Sequence, residues 1–164
     1  MKWADEEKFL EEQLEILVKL RNHFGEDVIE IAQRARLAVH QRRMRELSAQ
    51  NPPKRPAEVF SHSAYSVSAA DPGILEYDVL EDSERRFAVR IKRCCYADFY
   101  RGHGYPEIGY ALHCSLDFGE AKVFWPEITF TRTKTLMQGN DHCNHCYELA
   151  KEKEGVVTVE SKKS

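Results

Sequence analysis

No stretch of the 164 residues stays apolar for anything near the ~20 positions a bilayer crossing needs, so no membrane association is expected. Residues 1–13 are acidic and lack an apolar centre, which argues against a secretory leader and for a cytoplasmic protein. Basic excess is missing too. Lys+Arg number 24 against 27 Asp+Glu, a formal charge of −3, and a nucleic-acid partner is not expected on that balance. The phosphate-binding loop, the dinucleotide fingerprint, the serine-hydrolase elbow and the zinc-protease helix are all absent. Cysteine is scarce and odd in number, at 5. Without a leader that count describes reduced thiols, each buried, metal-bound or reactive, and not a disulfide framework. What remains is ordinary for one soluble domain, with 42% hydrophobic and 31% charged residues.

Residues 1–50 carry a helical pattern and are expected to form a helical pair packed on the main domain. Trp3, Leu10, Leu14, Leu17 and Phe24 share one stripe, and Gly25 ends the first helix. In the second helix Val28, Ile31, Ala32, Ala35, Ala38 and Val39 fall on one face, which is read as its packing face. The arginines at 34, 36, 42, 43 and 45 flank that stripe on both sides, an arrangement of snorkelling stems and not one basic surface. Arg21 and Arg42, toward the helix C-termini, read as structural. Residues 51–73, rich in Pro and then in Ser and Ala, read as linker or loop. From 74 to 150 the pattern is α+β. Leu75–Val79 and Phe87–Ile91 alternate as a hairpin, residues 93–126 are helical and broken, and Ile128–Thr133 pairs with a return strand over Cys143–Tyr147. The expected fold is therefore a helical hairpin followed by an antiparallel sheet of two hairpins with short helices between them. Residues 151–164 read as a fraying tail.

Two segments carry chemistry. In Cys114-Ser115-Leu116-Asp117 a helical spacing puts thiol and carboxylate on one side, and Asp117 also reads as a helix cap. A carboxylate beside a thiol can move its proton but also raises its pKa. In Asp141-His142-Cys143-Asn144-His145-Cys146 a regular strand would send Cys143 and Cys146 to opposite faces, with His145 and Tyr147 beside Cys143. Arg132 shares a face with Ile128 and Phe130, and a buried guanidinium there needs an anionic partner from protein or substrate, unless it reaches solvent at the strand end.

The pieces Arg93-Cys94-Cys95-Tyr96-Ala97, Cys114-Ser115-Leu116-Asp117, Arg132-Thr133-Lys134-Thr135-Leu136 and Gly139-Asn140-Asp141-His142-Cys143 occur in an order and spacing that resemble the L-2-amino-thiazoline-4-carboxylic acid hydrolase family. The helices around Leu17 to Val39 are similar to its N-terminal region. The chain departs from the pattern where Asn140 is inserted between Gly139 and Asp141, where His145 stands at an aromatic position, and at the extra Cys146. The resemblance implies a hydrolase that opens a cyclic amidine to an N-carbamoyl amino acid. It implies Cys114 or Cys143 as nucleophile or thiol acid, Asp117 as proton shuttle and Arg132 on the substrate carboxylate. It further implies that Cys94, Asp98 and Thr133 line the same pocket. No cofactor follows from it. The partner would be a small carboxylate-bearing molecule, with a homo-oligomer left open.

Two other readings use the same cysteines. Cys94, Cys114, Cys143 and Cys146 would serve a non-enzymatic ligand- or zinc-binding module. Cys114, Asp117 and Cys143 are also similar, over a short stretch, to the two-Cys-plus-Asp set of organomercurial lyases, which cleave carbon–metal bonds.

Overall fold

A computed structural model describes residues 3–61 and 73–150. The expectations for the rest of the Ser/Ala-rich stretch and for the tail lie outside those residues. Two long helices open the chain, α1 (Trp3–Phe24) and α2 (Asp27–Gln50). Gly25, at φ 93°, takes the left-handed conformation that reverses the chain between them. A short helix α3 (56–61) follows. Its Val59 and Phe60 are buried against the sheet, so this part of the expected linker is core.

The sheet has four strands in the order β1-β2-β4-β3, all antiparallel: β1 (Leu75–Asp82), β2 (Arg86–Cys94), β3 (Ile128–Thr131) and β4 (Cys143–Leu149). The last strand inserts between β2 and β3, so the two hairpins form one sheet. Between β2 and β3 lie α4 (Cys95–Gly102), α5 (Pro106–Gly109), a π-helical turn (Tyr110–Cys114) and α6 (Leu116–Phe124). Gly104, at φ 79°, separates α4 from α5, and Pro106 occupies the first turn of α5, where its missing N–H costs nothing. No helix among the described residues is long and apolar enough to cross a membrane.

Two apolar clusters hold these layers. One packs α6, α3 and the C-terminal part of α2 on the sheet through Met44, Phe87, Val89, Phe124 and Ile128. The other packs α1 on α4, α5 and the π turn through Leu10, Leu14, Tyr100, Ile108 and Leu112. Gly109 sits at the tightest point. A Cβ there would lie 2.5 Å from Tyr100 Cγ and 2.7 Å from Met137 Sδ. Gly109→Ala is therefore expected to cost about 1–3 kcal/mol by overpacking, read as a lowered urea midpoint at unchanged slope.

The face expected for α2 is corrected. Ile31 and Val39 are 61% and 52% exposed, while Ile29, Gln33, Arg36, Leu37, His40 and Met44 turn inward. Arg36 and His40 of that inner row face a cavity, and Gln33 donates to Ser115 Oγ at 2.7 Å, so apolar periodicity centred the packing face away from its true position, although Ala32 does pack inward. Phe24, placed on the α1 stripe, is likewise exposed.

Candidate functional site

A cavity of about 450 Å³ lies between the helices and the inner face of the sheet. Its wall includes Cys94, Cys114, Asp117, Arg132 and Cys143, brought together from four separate segments of the chain. All five cysteines are free thiols.

Each of these side chains reaches the cavity for a local reason. In β2, Phe87, Val89 and Ile91 point inward by simple alternation, which would continue to Arg93. The register against β1 skips Lys92, pairing Tyr77 with Ile91 and Glu76 with Arg93. That bulge shifts the alternation by one residue and turns Cys94 inward while Arg93 stays exposed. Cys114 closes the π turn, in which the Ser115 N–H donates to the carbonyl of Tyr110 five residues back at 2.9 Å. The widened turn presents His113 and Cys114 together with Leu116 and Asp117 at the start of α6. Cys143, His145 and Tyr147 alternate inward along β4, and Cys146 faces the other way.

Asp117 is not a cap. It lies within the first turn of α6, and its Oδ2 accepts a hydrogen bond from Arg132 Nη1. Arg132 Nη2 donates to the Cys114 carbonyl at 2.7 Å, and the guanidinium packs over the rings of Phe118 and Phe130. The Arg132 side chain is 3% exposed, so it does not reach solvent. Burial pushes the Asp117 carboxyl up to about 7, Arg132 opposes that rise, and Glu120 adds to it. Glu120, itself buried, is held by His40 Nδ1 at 2.6 Å.

The three thiols differ. Burial lifts Cys114 to about 12, helped by Asp117, and its Sγ lies 3.8 Å from Thr135 Oγ1. Burial also lifts Cys94 to about 12. Cys143 Sγ accepts the backbone N–H of Leu136 at 3.2 Å. The loop that supplies this N–H is tied down by Asn144, whose Oδ1 accepts from the Thr133 and Lys134 N–H groups, and by Asn140, which accepts from Thr135. Gly139 permits the turn at φ 88°.

Residues 7–147 match the profile of the family described as L-2-amino-thiazoline-4-carboxylic acid hydrolase. The chain belongs to that family. No curated protein matches it. Among solved structures it is similar to the phenol-responsive sensory domain of the transcription activator PoxR with phenol, at 13% identity and TM-score 0.46 over 85% of this chain and 73% of that one. It is also similar to a trafficking protein particle complex subunit 3 from Naegleria fowleri covalently bound to palmitic acid, at 8% identity and TM-score 0.46 over 90% and 96%.

Of the site residues that the resemblance implies, Asp98 and Thr133 lie away from the cavity. Asp98 sits on the outer side of α4, 61% exposed, beside Arg93 at 3.3 Å. Cys94 and Asp98 are four apart, but Cys94 is still extended, so helical spacing does not align them. Tyr96 takes the inward place. Thr133 is exposed and bonds Asn144 through its N–H and hydroxyl, leaving Thr135 as the buried threonine beside Cys114. The four-cysteine zinc set is not assembled, because Cys146 is on the far face of β4. Among the described residues no three His, Cys, Asp or Glu side chains stand close enough to hold a metal ion.

Arg36, His40, Glu120 and His145 are among the cavity residues that sequence reasoning missed as site residues. The helical spacing of Arg36, His40 and Arg43 was the available signal, masked by the apolar residues on the opposite face of α2.

Proposed function

We propose that this family member opens the ring of a cyclic amidine carboxylate of the 2-amino-thiazoline type, using Cys143 as nucleophile and Asp117 as proton shuttle. The observation that carries this reading is the convergence of three thiols, a carboxyl held near neutrality and an arginine on one cavity.

The resting Cys143 thiol passes its proton to the Asp117 carboxylate as sulfur adds to the amidine carbon. The Leu136 N–H stabilises charge on that sulfur. The ring carbon–sulfur bond breaks, and the departing ring sulfur takes the proton back from Asp117. Water then attacks the same carbon and yields a proton to Asp117. Cys143 leaves and recovers that proton. The net change is addition of one water, giving an N-carbamoyl amino acid with a free thiol. A carboxyl near 7 suits both halves of the shuttle, since it gives and takes protons at similar cost at neutral pH. Cys114 stays a thiol throughout and Arg132 positions Asp117, because two of its donors are already committed to Asp117 and the Cys114 carbonyl.

Incubation with L-2-amino-thiazoline-4-carboxylate should release one thiol and one N-carbamoyl product per substrate, followed by thiol titration and mass spectrometry. Absence of both at high enzyme concentration would contradict the assignment.

A further inference from the structure

Two buried side-chain nitrogens among the described residues have no hydrogen-bond partner, Arg36 Nε and His145 Nδ1. Both belong to side chains that line the same cavity. Such groups are rare in folded chains, because a buried donor or acceptor left unmet carries its full desolvation cost. Two on one cavity wall are places where a ligand can supply the missing bonds.

The two groups ask for different partners. Arg36, from α2, forms no ion pair with a described residue, whereas the guanidinium of Arg132 is already engaged. The acid on the Arg36 side of the cavity, Glu6, accepts the Tyr96 hydroxyl at 3.2 Å. An uncommitted guanidinium on a cavity wall selects a planar anion, a carboxylate above all. His145, from β4, is 9% exposed and is set among the rings of Phe60, Phe130 and Tyr147. Burial keeps it neutral, with Arg132 adding to the effect. A neutral imidazole nitrogen in an aromatic wall offers one hydrogen bond to a polar atom on an otherwise flat, apolar body. At about 450 Å³ the cavity lies in the range that takes drug-sized ligands and has more room than one five-membered ring with its carboxylate needs.

We infer that Arg36 binds the substrate carboxylate and that His145 hydrogen-bonds a polar group elsewhere on an extended, aromatic-sized amidine carboxylate. The ligand class rests on the hydrolase reading above, and the assignment of the two residues rests on the cavity.

The test is calorimetric titration with 2-aminobenzothiazole-6-carboxylate, a bicyclic amidine that is not readily ring-opened, alongside 2-aminobenzothiazole and benzothiazole-6-carboxylate. Wild type is expected to bind the complete probe about 10–100-fold more tightly than the form lacking the carboxylate. Arg36→Met should erase that preference while still binding 2-aminobenzothiazole as wild type does, which also shows the cavity intact, and Arg36→Lys should restore part of it. His145→Phe should erase the preference for the complete probe over benzothiazole-6-carboxylate. Failure of wild type to bind the complete probe, or variants that weaken all three compounds equally or none, would overturn the inference. The expected binding pattern without turnover of L-2-amino-thiazoline-4-carboxylate would keep the two anchors and remove the hydrolase reading. Turnover unaffected by Arg36→Met would do the reverse.

Discussion

Asp117→Asn is expected to lower kcat/KM for L-2-amino-thiazoline-4-carboxylate by about 10²–10⁴-fold, the usual worth of a positioned acid–base group. Asn keeps the shape and can still accept from Arg132, so the loss should fall on kcat with KM nearly unchanged. The wild-type pH profile gives the sharper signature. The folded-state carboxyl sits at about 7, above its ordinary 3.8, chiefly because it is buried. The carboxylate that must accept the Cys143 proton is complete only above that value, so activity should rise through an ascending limb near pH 7. A limb near 4 would show that Asp117 is not the base. Arg132 holds the carboxyl down, so Arg132→Met should move the limb to higher pH. The same upward shift means that Asp117 binds its proton more tightly in the folded chain than in the unfolded one. Its contribution therefore weakens the fold as pH climbs from about 4 through 7.

The second large effect separates the cysteines. Cys143→Ala is expected to remove turnover by about 10³-fold or more, because burial holds the other two thiols on the wall, Cys94 and Cys114, protonated. Cys114→Ser should keep most of the activity, since burial and Asp117 hold that thiol protonated and its neighbour Thr135 needs only a polar contact. Equal losses at both positions, in variants with wild-type circular dichroism, would mean that the thiols act together.

How much of this was legible in the sequence depends on which physical rule governed each residue. Strand alternation placed Cys143, His145 and Tyr147 on one face, and helical spacing placed Cys114 near Asp117, because both segments obey local periodicity. Alternation put Arg132 on the face of Ile128 and Phe130 but left open whether it is buried or reaches solvent, and it could not give the partner, which lies 15 residues earlier on another element. Cys94 could not be placed from alternation, since the bulge at Lys92 depends on pairing with β1. The inner face of α2 was hidden for a different reason. Its Arg36 and His40 face an open cavity, where polarity is tolerated, while Ile31 and Val39 stand outside. A periodicity argument assumes that the inner face is the apolar one, and that assumption fails beside a binding site.

Intact-mass spectrometry of protein acid-quenched during turnover tests the central claim most directly. Attack by Cys143 that opens the ring without losing atoms predicts a transient gain of one whole substrate mass, mapped by peptide analysis to Cys143 and absent from Cys143→Ala. Product formation with no adduct in either wild type or Cys114→Ser, or an adduct mapped to Cys94 or Cys114, would contradict it.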